Sequence, residues 1–277
     1  MHFVVCLKQV PDTSEVRIDP ITNTLMREGV PSIINPYDMH GLEEAIHLKE
    51  KLGGKVTIVC MGPPQAKEAL KKAMSFGADR AVLLSDRAFG GSDSLATAYI
   101  LSSAIQKIHE TEPIDLVFTG KEAIDGDTAQ TGPGIAQRLG FPQLTYTIKV
   151  RELTDTTVTV ERKTESGRQV VQAQLPALLT VEKELNDLSY ATLPNMMKAA
   201  VYEPEMWNFN SLPFDVRKMG LKGSPTSVSR IFAPPGRIGG EIMDGMKDPV
   251  ATAASVVQKI FQQNIIMYKP QAKGGNQ

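Results

Sequence analysis

The run Gly120-Lys-Glu-Ala-Ile-Asp-Gly-Asp-Thr-Ala-Gln-Thr-Gly-Pro-Gly134 sets glycines and small side chains among two threonines and a glutamine, so a ligand can come close to the main chain. Free amides near Asp127 to Ala129, joined by the hydroxyls of Thr128 and Thr131 and the side-chain amide of Gln130, make a neutral donor cluster at a helix start. Such a start, with its unpaired N–H groups and its dipole, suits an anion such as a pyrophosphate. Asp125 and Asp127 repel phosphate, so they must point away, cap the helix or hold ribose hydroxyls. Taken alone, the Asp-Gly-Asp piece reads as a plain capped helix. A second start, Gly90-Gly-Ser-Asp-Ser-Leu-Ala-Thr97, precedes another helix; Ser92 or Asp93 can cap it. Asp93 and Thr97 share one helix face, and the two glycines are expected to leave the helix end open to a planar ligand.

Other chemistries find no support. His2, His40, His47 and His109 show no H-E-x-x-H spacing and no cysteine at ligand distance, which disfavours a metal site. His40 and His47 are expected on one solvated helix. There is no G-x-S-x-G elbow, no G-x-x-x-x-G-K-[ST] phosphate loop, and no G-x-G-x-x-G after the first strand. Gly90 to Ser94 resembles the S-G-G-x-D-S loop of ATP pyrophosphatases, but Phe89 stands at the first Ser and the segment follows the third strand instead of the first. A regulatory or ATP-cleaving nucleotide-binding protein is therefore one reading. No residue reads as a catalytic acid, base or nucleophile.

The elements that must position these residues follow from composition and periodicity. The 277 residues are 42% hydrophobic and 22% charged, an ordinary globular chain. That length buries roughly 75% of the unfolded surface. Thirty Lys plus Arg against thirty-one Asp plus Glu give a net charge of −1 without a basic stripe, which argues against DNA or RNA. No apolar run approaches the roughly 18 residues of a membrane span. No charged leader or cleavage site precedes the first strand, so the cytoplasm is the expected compartment. Cys6 and Cys60 close apolar runs and are expected as buried free thiols.

Strands read at Phe3 to Leu7, Val56 to Met61, Ala81 to Leu84 and Leu116 to Thr119, alternating with helices. Asn35 is the candidate N-cap of the first helix, with Pro36 at its first position and Gly53-Gly54 as its stop. Pro63-Pro64 starts the second, whose Lys67, Glu68, Lys71 and Lys72 read as a solvated face. The third spans Ser94 to Ile108. Between Tyr146 and Thr180 a two-residue alternation around Glu165-Ser166-Gly167 reads as a hairpin, and Ala177 to Val181 as one more buried strand. From Val201 to Gly245 five prolines erase periodicity, and only Val250 to Ile260 regains helical spacing. The expected fold is α/β: a doubly wound, mostly parallel, Rossmann-like sheet over residues 1–200, with an antiparallel hairpin edge and a C-terminal arm over 201–277. The first and fourth strands then flank a topological switch point, and their carboxyl ends form a ligand crevice.

With these elements in view, four segments resemble the beta subunit of electron-transfer flavoproteins: Val5-Cys-Leu-Lys-Gln-Val-Pro-Asp12, Ile34-Asn-Pro-Tyr-Asp38, Gly120 to Thr131, and Tyr190-Ala-Thr-Leu-Pro-Asn-Met-Met-Lys198. The match runs from Met1 to about Lys198. The resemblance implies that an adenosine nucleotide contacts Cys6, Asn35, Pro36, Tyr37, Asp38 and Met61. In the loop it implies Gly120, Lys121, Glu122, Ala123, Ile124, Asp125, Gly126, Asp127, Thr128, Ala129, Gln130 and Thr131. It also implies an alpha-subunit partner carrying a second FAD. In one group of the family the pocket holds a structural AMP; in the other it holds a complete FAD that takes hydride from NADH and sends two electrons along separate paths. Gly90 to Thr97 resembles the second, bifurcating group, which places Asp93, Ser94 and Thr97 near the isoalloxazine; Ser94 stands where many such members have Thr. An open helix start there would favour an anionic ring. NADH oxidation would belong to the complex with the alpha subunit, the acceptors being an acyl-CoA dehydrogenase-type partner and a low-potential protein such as ferredoxin. Residues 188–198 resemble the family's recognition loop, whose leucine, Leu193 here, inserts into that dehydrogenase. Residues 201–277 resemble, more loosely, an arm embracing the alpha subunit.

Overall fold

The computed structural model describes residues 1–12, 17–18, 25–26, 31–229 and 240–262. Contacts divide the chain into two compact units, Met1–Phe232 and Ala233–Gln277. The first unit thus takes in residues 201–232, which the sequence assigned to the arm.

In chain order the first unit holds β1 (His2–Leu7), β2 (Gln9–Pro11), β3 (Arg17–Ile18), β4 (Leu25–Met26), β5 (Ser32–Ile34), α1 (Pro36–Leu52), β6 (Lys55–Met61), α2 (Lys67–Met74), β7 (Arg80–Leu84) and α3 (Ser94–Thr111). It continues with β8 (Leu116–Gly120), α4 (Thr131–Leu139), β9 (Gln143–Leu153), β10 (Thr157–Thr164), β11 (Gly167–Gln174), β12 (Ala177–Val181), α5 (Leu193–Val201), β13 (Glu205–Trp207) and α6 (Gly220–Gly223). In the second unit α7 (Pro249–Gln262) covers the segment that regained helical spacing.

The α/β class is as expected. Nine strands form one sheet in the order β11-β10-β9-β12-β8-β1-β6-β7-β13. All neighbours are parallel except β9, β10 and β11, which pair antiparallel. Every residue of β1, β8 and β12 is buried, as strands covered on both faces must be. The pleat divides the core. Phe3, Val5 and Leu7 of β1 join the cluster containing Leu42, Ala45 and Leu70 of α1 and α2; Val4 and Cys6 join Ile100, Ala104 and Ile135 of α3 and α4. Each large side chain so buried contributes about 1.5–3 kcal/mol. Chain order reverses at β1, between β6 and β8, with Phe3 opposite Leu116 and Val5 opposite Phe118. The crevice at this switch point is where Lys8 and Lys121 leave their strands.

Three local expectations change. Pro64–Ala66 forms a 3-10 turn, the amide of Ala66 donating to the carbonyl of Pro63 at 2.9 Å, and the regular α2 begins at Lys67. The alternation assigned to one hairpin comprises three antiparallel strands, since β9 begins at Gln143 and also pairs with β12. In the stretch expected to lack regular structure, Glu205 to Trp207 pair with Val82 to Leu84, the sheet edge supplying partners that three isolated residues lack. No described helix is long and apolar enough to cross a membrane.

Candidate functional site

A cavity of about 280 Å³ opens at the carboxyl ends of β1 and β8. Of the predicted contacts, Cys6, Asn35, Asp38, Met61, Asp93, Ser94 and Thr97 line it, with Gly120, Lys121, Glu122, Ala123, Gly126, Asp127, Thr128, Ala129, Gln130 and Thr131. Pro36, Tyr37, Ile124 and Asp125 are not in its lining, and neither is Leu193. Leu7, Lys8, Ser92, Leu101, Thr119 and Gly132 line it without having been predicted as contacts. Leu7, Lys8 and Thr119 follow or precede predicted residues at strand ends, a position that marks them once the switch point is known. Leu101 lies one helical turn beyond Thr97, on the same face.

Asn35 precedes α1 as expected, yet its side chain makes no capping bond. Its Nδ2 donates to the carbonyl of Glu122 at 2.8 Å, and its Oδ1 accepts from the amide of Ile124 at 3.2 Å. Asp38, one turn on, accepts from the amide of Lys8 at 2.8 Å and from that of Gly120 at 2.9 Å. One carboxylate thus ties the end of β1 to the end of β8. Burial lifts the Asp38 carboxyl to about 7, against the pull of its hydrogen bonds from Asn35, Lys8 and Gly120. Burial also pushes the Cys6 thiol up, and the Cys60 thiol up to about 12, so neither is a thiolate at neutral pH.

The loop between β8 and α4 is built to leave donors free. Asp127 and Ala129 both adopt left-handed backbone, with φ of 48° and 52°. Side-chain-bearing residues hold that conformation only where surroundings impose it. The amides of Thr128, Ala129 and Gln130 find no acceptor among the described residues, and Gln130 makes no side-chain cap for α4. Asp125 meets half of the electrostatic objection: it pairs with Lys8 Nζ at 2.7 Å and stays out of the lining, whereas Asp127 remains in it. Thr119 Oγ1 is buried without a partner. A Cβ on Gly132 would stand 2.6 Å from that oxygen and 2.7 Å from Thr180 Cγ2, so glycine alone lets α4 approach this closely. An orphaned hydroxyl, unpaired amides and a neutralised carboxylate fit the phosphates of a nucleotide cofactor.

At the start of α3 the expected opening is absent. Asp93 caps the helix, its Oδ1 accepting from the amides of Leu95 and Ala96 at 3.0 Å each. Its Oδ2 accepts from the amide and hydroxyl of Thr226, and its own amide donates to Ser224 Oγ. Burial works to raise the Asp93 carboxyl, but these bonds outweigh it and hold the group below its ordinary range. Gly91, at φ 73°, gives space to Leu221, whose Cγ lies 2.6 Å from where a Cβ would be. The glycine therefore serves a contact within the chain. Ser94 Oγ donates to Gln130 Oε1 at 2.9 Å, linking the two helix starts.

Leu193 opens α5 behind Thr192, whose hydroxyl caps the helix, and is 69% exposed. Met196, Met197 and Val201 of the same helix are exposed too.

Comparison with known proteins agrees with this architecture. The electron transfer flavoprotein domain matches residues 22–211. The chain belongs to the electron transfer flavoprotein family. Protein FixA of Azotobacter vinelandii is 50% identical over 270 residues, spanning 95% of this chain and 96% of that protein. Protein FixA of Bradyrhizobium diazoefficiens is 52% identical over 241 residues, 86% of this chain and 84% of that one. The electron transfer flavoprotein subunit beta of Clostridium acetobutylicum is 49% identical over 266 residues, 96% of this chain and all of its own length. The chain is thus an electron-transfer protein of the beta-subunit kind. Electron transfer flavoproteins carry flavin or AMP, and their beta subunits pair with an alpha subunit.

Proposed function

We propose that the cavity holds a complete FAD and that the chain is the bifurcating beta subunit of a cytoplasmic heterodimer. The observation that carries this reading is the extent of the lining. One cavity runs from Cys6, Met61 and Gly120 at the strand ends to Ser94, Thr97 and Leu101 on α3. The last three share a helix face, long enough to flank a ring as well as an adenylate. The chemistry FAD supplies there is acceptance of hydride from NADH and delivery of the two electrons along separate routes. One route leads through the alpha-subunit FAD to an acyl-CoA dehydrogenase-type partner, the other to a low-potential acceptor such as ferredoxin. The chain's own residues bind and orient. Amides of Thr128 to Gln130 and the hydroxyl of Thr119 receive the pyrophosphate, and Ser94 and Thr97 present hydroxyls toward the ring.

The alternative is a structural AMP, favoured by the Ser94 to Gln130 bond that joins the two helix starts and by the complete engagement of Asp93. Purifying the heterodimer, releasing its ligands and counting them separates the two. Two FAD per heterodimer are expected, whereas one FAD and one AMP would overturn the bifurcating assignment.

Leu193 is read as the anchor for the dehydrogenase partner. Leu193→Ala is expected to leave nucleotide content unchanged and to slow reduction of that partner; an unchanged transfer rate rejects the role. The arm is read as embracing the alpha subunit. On α7, exposed Val250, Val257 and Phe261 recur at heptad-like spacing and make an apolar stripe for such a contact.

A further inference from the structure

The Asn-Pro-Tyr-Asp turn at 35–38 enters the site by resemblance as a nucleotide contact, but the polar ends of Asn35 and Asp38, both of which line the cavity, are engaged by the main chain around it. We propose that Asn35 is a positioning residue: it holds the 121–130 loop in the shape that presents free amides to the cofactor, and does not bind the cofactor itself. The inference rests on the reading that this cavity holds a nucleotide, FAD or AMP alike.

The side chain of Asn35 is 1% exposed, and both its polar ends meet the main chain of the loop, at Glu122 and Ile124. It pairs with that loop as the edge of a strand would. Its own backbone is fixed on two sides. The amide donates to the carbonyl of Lys8 beyond β1 at 2.8 Å, and the carbonyl accepts from Asp38 and Met39 in the first turn of α1. Whatever hangs from Asn35 is therefore referred to α1 and to β1, every residue of which is buried.

The loop needs such a hold. Within it, the amides of Gly126 and Asp127 reach the carbonyl of Ala123, and beyond that point Thr128, Ala129 and Gln130 have no main-chain acceptor among the described residues. Asp127 and Ala129 are both left-handed, a conformation side-chain-bearing residues leave unless held. Besides Asn35, the loop's side-chain tethers are the exposed Ser94 to Gln130 bond, the 3.7 Å Lys121 to Glu182 pair and the Lys8 to Asp125 pair, in which Lys8 is about half exposed. An exposed ion pair of this kind is worth little. The buried amide clamp is the strongest of these, because a lost partner would leave a carbonyl or an amide unsatisfied away from water.

The test uses the purified heterodimer. In Asn35→Ala, nucleotide release is expected to be about 10- to 100-fold faster than wild type, the loss of one to two hydrogen bonds. Amide exchange at Ile124 and across 122–130 should rise, while exchange in β1 and β6 stays as it was. Faster release with unchanged loop exchange means that Asn35 touches the ligand, and overturns the proposal; so does unchanged release. Should Asn35→Ala fail to fold, Asn35→Asp, which keeps an acceptor for the Ile124 amide and loses the donor to the Glu122 carbonyl, carries the test. It is expected to speed release about five- to tenfold together with loop exchange, and unchanged release, or faster release with unchanged exchange, overturns the proposal. A wild-type heterodimer from which a single nucleotide is recovered removes the reading of the site and the proposal with it. Two nucleotides with variant release unchanged remove only the proposal.

Discussion

Two helices begin at the same cavity and end their first turns differently. The start of α3 is closed by its own chain: Asp93 takes the amides of Leu95 and Ala96, Ser224 and Thr226 bond to Asp93, and Leu221 packs over Gly91. The start of α4 has no side-chain cap, and the three amides before it have no acceptor among the described residues. A helix start satisfied within the protein is a piece of scaffold. One left unsatisfied beside a buried orphan hydroxyl is a place for an anion. The sequence shows glycine, hydroxyl and carboxylate at both, so residue types alone do not separate them.

The largest effect is expected beneath the open start, at Asp38. Its folded-state carboxyl is raised from 3.8 to about 7 by burial. The stability this group contributes is therefore fully present below pH 3.8 and is lost as the pH rises to about 7. At about 1.4 kcal/mol per unit the span is on the order of 4 kcal/mol. Urea denaturation of the wild type between those limits should show the fall, and Asp38→Asn should flatten it; an unaltered slope in the variant removes Asp38 as its source.

Next come the glycines, which break the comparison most directly. Gly132→Ala forces a Cβ against Thr119 and Thr180 and should lower stability by about 1–3 kcal/mol, with loss of bound nucleotide. Gly91→Ala meets Leu221 at a left-handed position and should cost a similar amount, but the nucleotide should remain. Equal nucleotide loss in both would mean that the two starts are not different in kind.

The caps give the smallest and sharpest contrast. Asp93→Ala removes a working cap and should cost about 1 kcal/mol of unfolding free energy, measured by urea denaturation. Gln130→Ala removes no cap and should stay within about 0.5 kcal/mol, measured the same way.

Much of this was legible in the chain. The four buried strands announced themselves as short apolar runs between turn residues, and the crevice followed from the order in which they must pack. The loop from Gly120 to Thr131 stood out because it sets small residues, hydroxyls and a side-chain amide at a helix start. Asn35 was read by its local grammar as an N-cap, and the nearest unpaired amides in sequence are indeed those of α1. Its actual partners, Glu122 and Ile124, are more than eighty residues away. Asp93 illustrates the reverse. Its cap was readable, but the segment from Leu221 to Thr226 that covers it lies in a proline-broken stretch without periodicity.

The sequence by itself determined the layer architecture, the parallel sheet and the segment that leaves amides free, because apolar spacing and backbone chemistry are properties of neighbours along the chain. Only the tertiary structure decided which helix start stays open and which side chains are clamps. Those outcomes depend on which distant groups reach a donor first, and hydrogen bonds between remote residues leave no period in the sequence.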